Sequence, residues 1–202
     1  MSAATRAQSG RAAVVVAGGS ARRMGGVDKL GLEVGGLPML DRVLGSARAL
    51  CDEVVVVGPV RPTAVDGATF TSEAVPGGGP VPAVAAGLAV VDADATVAVL
   101  AGDLPLLTSA HLEVLFAAVS GPGVEAAAAV DQRGRHHPLL AVHRGPALRA
   151  RLQRLGPELA GLRASRLLPT AVVSVRLGSE ATLNVNAPAD LERARQLAGA
   201  RA

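Results

Sequence analysis

The residues best equipped for chemistry lie near the start of this 202-residue chain, in Ala17-Gly18-Gly19-Ser20-Ala21-Arg22-Arg23-Met24-Gly25-Gly26-Val27-Asp28-Lys29. Glycines let backbone N–H groups approach an anion closely, and the arginines and lysine supply the charge a polyphosphate requires. Of 20 basic residues, Lys29 is the one lysine and the other nineteen are arginines. A compact ammonium suits a single phosphate oxygen, whereas the planar guanidinium fork demands a different geometry. Farther along stand Glu73, Asp103 in Gly102-Asp103-Leu104-Pro105, and the pair Asn184 and Asn186. A carboxylate such as Asp103 can share a hard divalent cation with phosphate oxygens and water. His136 and His137, with Arg133 and Arg135 close by, are candidates for an anion-binding edge, although a solvated turn explains His136 equally well. There is no credible nucleophile and base triad, so the inventory points to holding and aligning phosphates.

The elements that must position these groups follow from periodicity. Ala12–Ala17 reads as a short, continuous, valine-rich strand of the kind buried at the centre of a parallel sheet. The glycine loop follows, then a short extended excursion over Leu30–Leu37 and a helix opened by Pro38 and running to about Leu50. Glu53–Val57 is a second buried strand, completing a βαβ pattern. Ala68–Glu73 is a third strand. It leads into a second glycine-rich passage, 75–82, and a helix over Ala83–Val91 with Pro82 in its first turn. Thr96–Ala101 is a strand that ends at Asp103, and Thr108 caps a helix over Ser109–Val119. Glu125–Val130 and His137–His143 read as strands, Gly145–Leu155 and Leu159–Leu167 as helices, and Val172–Leu177 as a strand. Asn186 is a natural N-cap for a last helix, Pro188–Ala198. Repeated βα alternation predicts a three-layer α/β fold with a mostly parallel sheet, in which ligands bind at the carboxyl ends of the strands. The chain divides into a polar tail over 1–11 and one domain over 12–202.

Composition excludes several classes. With two Phe, no Trp and no Tyr, no stacking platform for bases exists, and the net charge of +3 is spread rather than blocked. Nucleic acid is therefore not an expected partner. A single cysteine, Cys51, rules out an internal disulfide and any multi-cysteine metal site. No apolar run reaches the roughly 18–20 residues needed to cross a bilayer, and the tail lacks the apolar centre of a secretory signal. These features predict a soluble, cytoplasmic protein without a membrane partner.

Two phosphate-binding motifs fail on inspection. A P-loop needs a hydroxyl residue after its lysine, but Leu30 follows Lys29, and the G-x-G-x-x-G spacing of a dinucleotide fingerprint is absent. What remains resembles the nucleotidyltransferase superfamily and, within it, the molybdenum cofactor guanylyltransferase family. The resemblance rests on AGGSARRMGGVDK at 17–29, PGGGPVP at 76–82, GDLP at 102–105, HP at 137–138 and NVNAPADL at 184–191. It implies a Rossmann-like nucleotidyltransferase fold and transfer of GMP from Mg-GTP to the terminal phosphate of molybdopterin, or its molybdenum form, with release of pyrophosphate. Matched by position, Val16, Ala17, Gly18 and Gly19 would contact the guanine nucleotide, with Gly26 in the same loop. Arg23 and Lys29 would act on the phosphates. Glu73 stands where the family usually carries an aspartate near the ribose, and Asp103 matches its Mg²⁺ ligand, with Mn²⁺ as an alternative ion. His137, Asn184 and Asn186 would face the acceptor. Proteins that deliver or accept the cofactor are implied partners. Val57-Gly58 departs from relatives that offer an asparagine there, and Pro82-Ala83 replaces an Ala-Gly pair. Three other readings stay open: CTP with molybdopterin, a nucleotide with another phosphorylated acceptor, and a non-catalytic nucleotide-binding protein.

Overall fold

Three adjacent strands are built almost wholly of valine, alanine and leucine, so that each presents one apolar row to either side. In the computed structural model, which describes residues 10–18, 28–74 and 76–200, these strands are β1 (Arg11–Val16), β4 (Glu53–Val57) and β6 (Thr96–Ala101). Ala13, Val15, Val54, Val56, Ala98 and Leu100 face one way, onto α1 (Met39–Arg48) and α3 (Ser109–Val119). Ala12, Val14, Val55, Val57, Val97 and Val99 face the other, onto α2 (Pro80–Leu88) and α4 (Gly145–Leu155). The three expected layers result. Small side chains bring helix and sheet close: a Cβ on Gly87 of α2 would lie 2.4 Å from Val14 Cγ1.

The main sheet has seven strands in the order β5-β4-β1-β6-β8-β7-β9, with β5 at Ala68–Thr71, β7 at Ala126–Val130, β8 at His136–Arg144 and β9 at Val173–Arg176. Only β8 runs against the others, pairing antiparallel with both β6 and β7. The sheet is therefore mostly parallel, as expected. A two-stranded hairpin, β2 (Glu33–Val34) with β3 (Leu37–Pro38), forms the extended excursion after Lys29; its Val34 and the first residue of α1, Met39, pack against Leu191, Ala194 and Ala198 of α5 (Pro188–Gly199).

Four expectations change. Arg11, assigned to the tail, is the first residue of β1; residues 1–9 lie outside the described set. Helix α2 begins and ends three residues earlier than expected, with Pro80 at its first position, where a missing N–H costs nothing. The helix expected over Leu159–Leu167 reduces to a 3₁₀ turn at Ala164–Leu167. Gly161 takes the left-handed conformation and its amide donates to Gly78 O at 2.8 Å, so this segment braces the second glycine-rich passage instead of coiling. Finally, Ala187 rather than Asn186 occupies the N-cap of α5. The carboxylate of Asp190 accepts from the amides of Asn186 and Ala187, at 2.9 and 2.8 Å, and does the work a capping side chain would do. Thr108, in contrast, caps α3 as expected, accepting from the His111 amide.

His143 on β8 is 1% exposed, its Nε2 has no hydrogen-bond partner, and it faces Glu125 and Arg151. Burial, reinforced by Arg151, pushes its pKa down to about 4 from the ordinary 6.5. The unfolded chain therefore takes up a proton at a pH where the native ring stays neutral. Stability is expected to be full above about pH 6.5, to fall by on the order of 3 kcal/mol as the pH drops toward 4, and then to level off. Urea unfolding across this range should show the slope in the parent and a markedly shallower one in His143→Leu.

Candidate active site

The carboxyl ends of β1, β4, β5 and β6 meet along one rim and are knitted beyond the strands themselves. The Ala17 amide donates to Val57 O at 2.8 Å, Gly58 to Thr71 O at 2.9 Å, and Gly102 to Val16 O at 3.0 Å. Gly58 explains the departure noted after Val57. A Cβ there would lie 2.7 Å from Ala17 C and 2.9 Å from both Ala17 O and Gly18 N, so the β4 turn can touch the end of β1 only without a side chain.

Lys29 begins a 3₁₀ turn, Lys29–Gly31, directly before the hairpin. Its Nζ donates to Asp103 Oδ2 at 2.6 Å, to Val185 O at 2.9 Å and to Asn186 Oδ1 at 3.2 Å, which engages all three ammonium protons. Asn184 Nδ2 donates to the other Asp103 oxygen at 2.9 Å, and the Val185 amide to Asp103 O at 3.1 Å. The Asn184–Asn186 segment thus lies along the Gly102–Pro105 turn, and Arg42 of α1 steadies that turn by donating to Pro105 O and Val34 O. The side chains of Lys29 and Asp103 are 25% and 15% exposed, a partly desolvated pair at the rim.

Glu73 sits two residues past β5, with Oε1 accepting from the Gly77 amide at 3.0 Å and lying 3.7 Å from where a Gly18 Cβ would be. Its Oε2 is buried and has no partner among the described residues. A buried carboxylate oxygen without a donor is costly, and it is placed to accept from a ligand hydroxyl beside Gly18. On the far side of Asp103, His137, Asn184 and Leu104 join Pro138, Leu139, Leu140 and Ala164 in lining a cavity of about 180 Å³. Burial holds the half-buried His137 below the ordinary histidine range.

Of the residues singled out from sequence, Val16, Ala17, Gly18, Lys29, Glu73, Asp103, His137, Asn184 and Asn186 all lie along this rim. Gly19, Arg23 and Gly26 fall outside the described residues. Along the candidate anion-binding edge, Arg135 pairs with Asp131 at 2.8 Å, and His136 Nε2 meets Ser174 Oγ at 2.9 Å. Two participants had no local sequence signal. Arg61 reaches Ala17 and Asp28 from the turn after β4, and Val185 contributes only its backbone.

No group of three or more His, Cys, Asp or Glu converges on a metal position among the described residues. Asp103 is consistent with a metal held mainly by substrate. Each of its oxygens accepts one N–H, leaving lone pairs free for one ion that also binds phosphate and water.

A mostly parallel sheet with a cation and carboxylate pair and a cavity at one rim suits a nucleotidyltransferase. A family model described as the MobA-like NTP transferase domain matches residues 13–171. The chain belongs to this family. It is 33% identical over 202 residues to a probable molybdenum cofactor guanylyltransferase of Natronomonas pharaonis, covering 92% of this chain and 97% of that one. A protein of the same name from Pelotomaculum thermopropionicum is 31% identical, with 92% of each chain covered. Among solved structures, molybdopterin-guanine dinucleotide biosynthesis protein A from Archaeoglobus fulgidus superposes with a TM-score of 0.73 at 21% identity, over 94% of this chain and 99% of that one.

Because Gly58 lies against the Ala17–Gly18 backbone, Gly58→Ala should displace the end of β1. Titration calorimetry is expected to show nucleotide affinity falling about tenfold or more, equivalent to roughly 1.4 kcal/mol. Far-ultraviolet circular dichroism should remain that of the parent.

Proposed function

We propose that this nucleotidyltransferase moves GMP from GTP to the terminal phosphate of molybdopterin, giving the guanine dinucleotide form of the cofactor and pyrophosphate. An oxygen of the acceptor phosphate attacks the α-phosphorus of GTP. One P–O bond forms there while the bond to the β-phosphate oxygen breaks, and the electron pair leaves with pyrophosphate. Both reactants are anionic, so the protein must neutralise and align rather than move protons. The attacking phosphate is already ionised at neutral pH and needs no general base.

The carrying observation is the junction at Asp103, where Lys29, Asn184 and Asn186 meet and from which Asn184 reaches the cavity lined by His137. Ala17 and Gly18 offer the rim for the nucleotide, and the unpartnered Glu73 oxygen is available to a ribose hydroxyl. Lys29 supplies a compact charge for the triphosphate, and Asp103 would hold a divalent ion, Mg²⁺ or Mn²⁺. When bound, that ion supplies charge neutralisation at the phosphates. His137 and Asn184 line the cavity on the acceptor side. The guanylyltransferase relatives support the choice of substrates.

In the absence of ligands the Lys29 ammonium already neutralises Asp103. A divalent ion added alone should therefore bind weakly, and Mg-GTP together should compete for both residues.

Incubation with molybdopterin, Mg²⁺ and each of the four NTPs, followed by mass analysis, should yield the GMP adduct and pyrophosphate. A preference for CTP, or a product only with another phosphorylated acceptor, would overturn the assignment. Asp103→Ala and Lys29→Ala are each expected to lower kcat by about 10²–10³ while remaining folded. Transfer at the parental rate by both variants would rule out a catalytic role for the pair.

A further inference from the structure

Arg61 lies in the connection between β4 and β5 and has a guanidinium only 14% exposed as a side chain. Its Nε donates to Asp28 Oδ2 at 3.0 Å and one terminal nitrogen donates to Ala17 O at 3.1 Å. These two acceptors are eleven residues apart in sequence. They mark where the chain leaves β1 and where it arrives at Lys29, so one guanidinium touches both ends of the phosphate-binding stretch.

The connection that carries Arg61 is itself anchored to the core. Asp41, in the first turn of α1, is 5% exposed and accepts from Thr63 Oγ1 at 2.6 Å and from the Ala64 amide at 3.1 Å. The Val65 amide donates back to Thr63 Oγ1 at 3.1 Å. A buried carboxylate with both oxygens satisfied holds its partners firmly, because losing either would strand a charge away from water. Contacts thus run from α1 through Asp41 and Thr63 to the backbone of the turn and on to Arg61. The planar fork of Arg61 reaches two acceptors in fixed directions, a task for which an ammonium is poorly shaped.

Charge gives the contact a second consequence. Asp28 directly precedes Lys29, and its side chain is 52% exposed. Left unpaired, it would repel the phosphates that Lys29 attracts.

We infer that Arg61 is a positioning residue for nucleotide binding, fixing Ala17 and Asp28 to one another and cancelling the Asp28 charge beside the triphosphate. This rests on the nucleotidyl-transfer reading of the rim, and it assigns a role outside the residues that touch substrate.

The test compares the full-length parent with Arg61→Ala, Arg61→Lys and the double variant Arg61→Ala/Asp28→Asn, using titration calorimetry with Mg-NTP and steady-state kinetics. The parent is first titrated with all four NTPs. A preference other than GTP overturns the guanylyl assignment alone, and the Arg61 comparison then uses the preferred nucleotide. Arg61→Ala is expected to raise the nucleotide Kd and KM at least tenfold, with kcat and the acceptor KM changed less than threefold. Arg61→Lys, the variant least disturbing to folding, should restore charge but not the two-point contact, and so retain most of the defect. Adding Asp28→Asn to Arg61→Ala should recover several-fold of the lost affinity. Nucleotide affinity within twofold of the parent in both single variants would overturn the inference, as would equal losses toward nucleotide and acceptor. Failure of Asp28→Asn to recover any affinity would overturn the charge-cancelling role.

Discussion

The rim is organised by one ammonium group. Lys29 Nζ sits between Asp103, Val185 and Asn186 and so joins the 3₁₀ turn before the hairpin, the turn after β6 and the segment before α5. These pieces are more than 70 and more than 150 residues from Lys29 in sequence. A partly buried carboxylate must have donors, and the ammonium and the Asn184 amide satisfy both of its oxygens. In a chain that otherwise uses arginine, a guanidinium here would be too wide to fit three acceptors arranged around a single nitrogen.

The adjacent residues Asp28 and Lys29 carry opposite charges and turn to opposite partners. Asp28 faces Arg61 and the β4 edge of the rim, whereas Lys29 faces Asp103 and the β6 edge. One chain end is thereby gripped from two sides by groups tied to different parts of the core, through Asp41 of α1 on one side and the turn braced by Arg42 on the other. The sheet contributes rigidity through close approach instead of bulk. Gly58 and Gly87 let backbone and helix lie where any side chain would collide, consistent with a core built from alanine, valine and leucine with scarcely any aromatic residue.

Regular elements were legible wherever periodicity and end signals agreed. Thr96–Ala101, Ser109–Val119 and Gly145–Leu155 match their expected bounds, because an apolar pattern stops at a cap, a glycine or a proline in each case. The segment from Leu159 to Leu167 was misread because its leucines have helical spacing, yet Gly161 is held in a left-handed conformation by a contact with Gly78, which only the folded chain supplies. The cap of α5 failed for a related reason. Asp190 and Asn186 can both serve an N-terminus, and the choice fell to Asp190 because Lys29 claims the Asn186 side chain.

Sequence by itself determined that strands would end in glycines, a lysine and carboxylates, since residue type and strand length are local properties. It also carried the family motifs in order. Which of those groups meet was decided by tertiary structure. Strand order sets β1 between β4 and β6, and that adjacency turns distant residues into the Lys29–Asp103 pair and brings Arg61 onto Ala17. The physical reason is range: propensity and periodicity act over a few residues, whereas an ion pair across the sheet depends on the packing of every layer between. The contacts that hold Ala17, Asp28 and Lys29 in place were therefore not readable from the sequence.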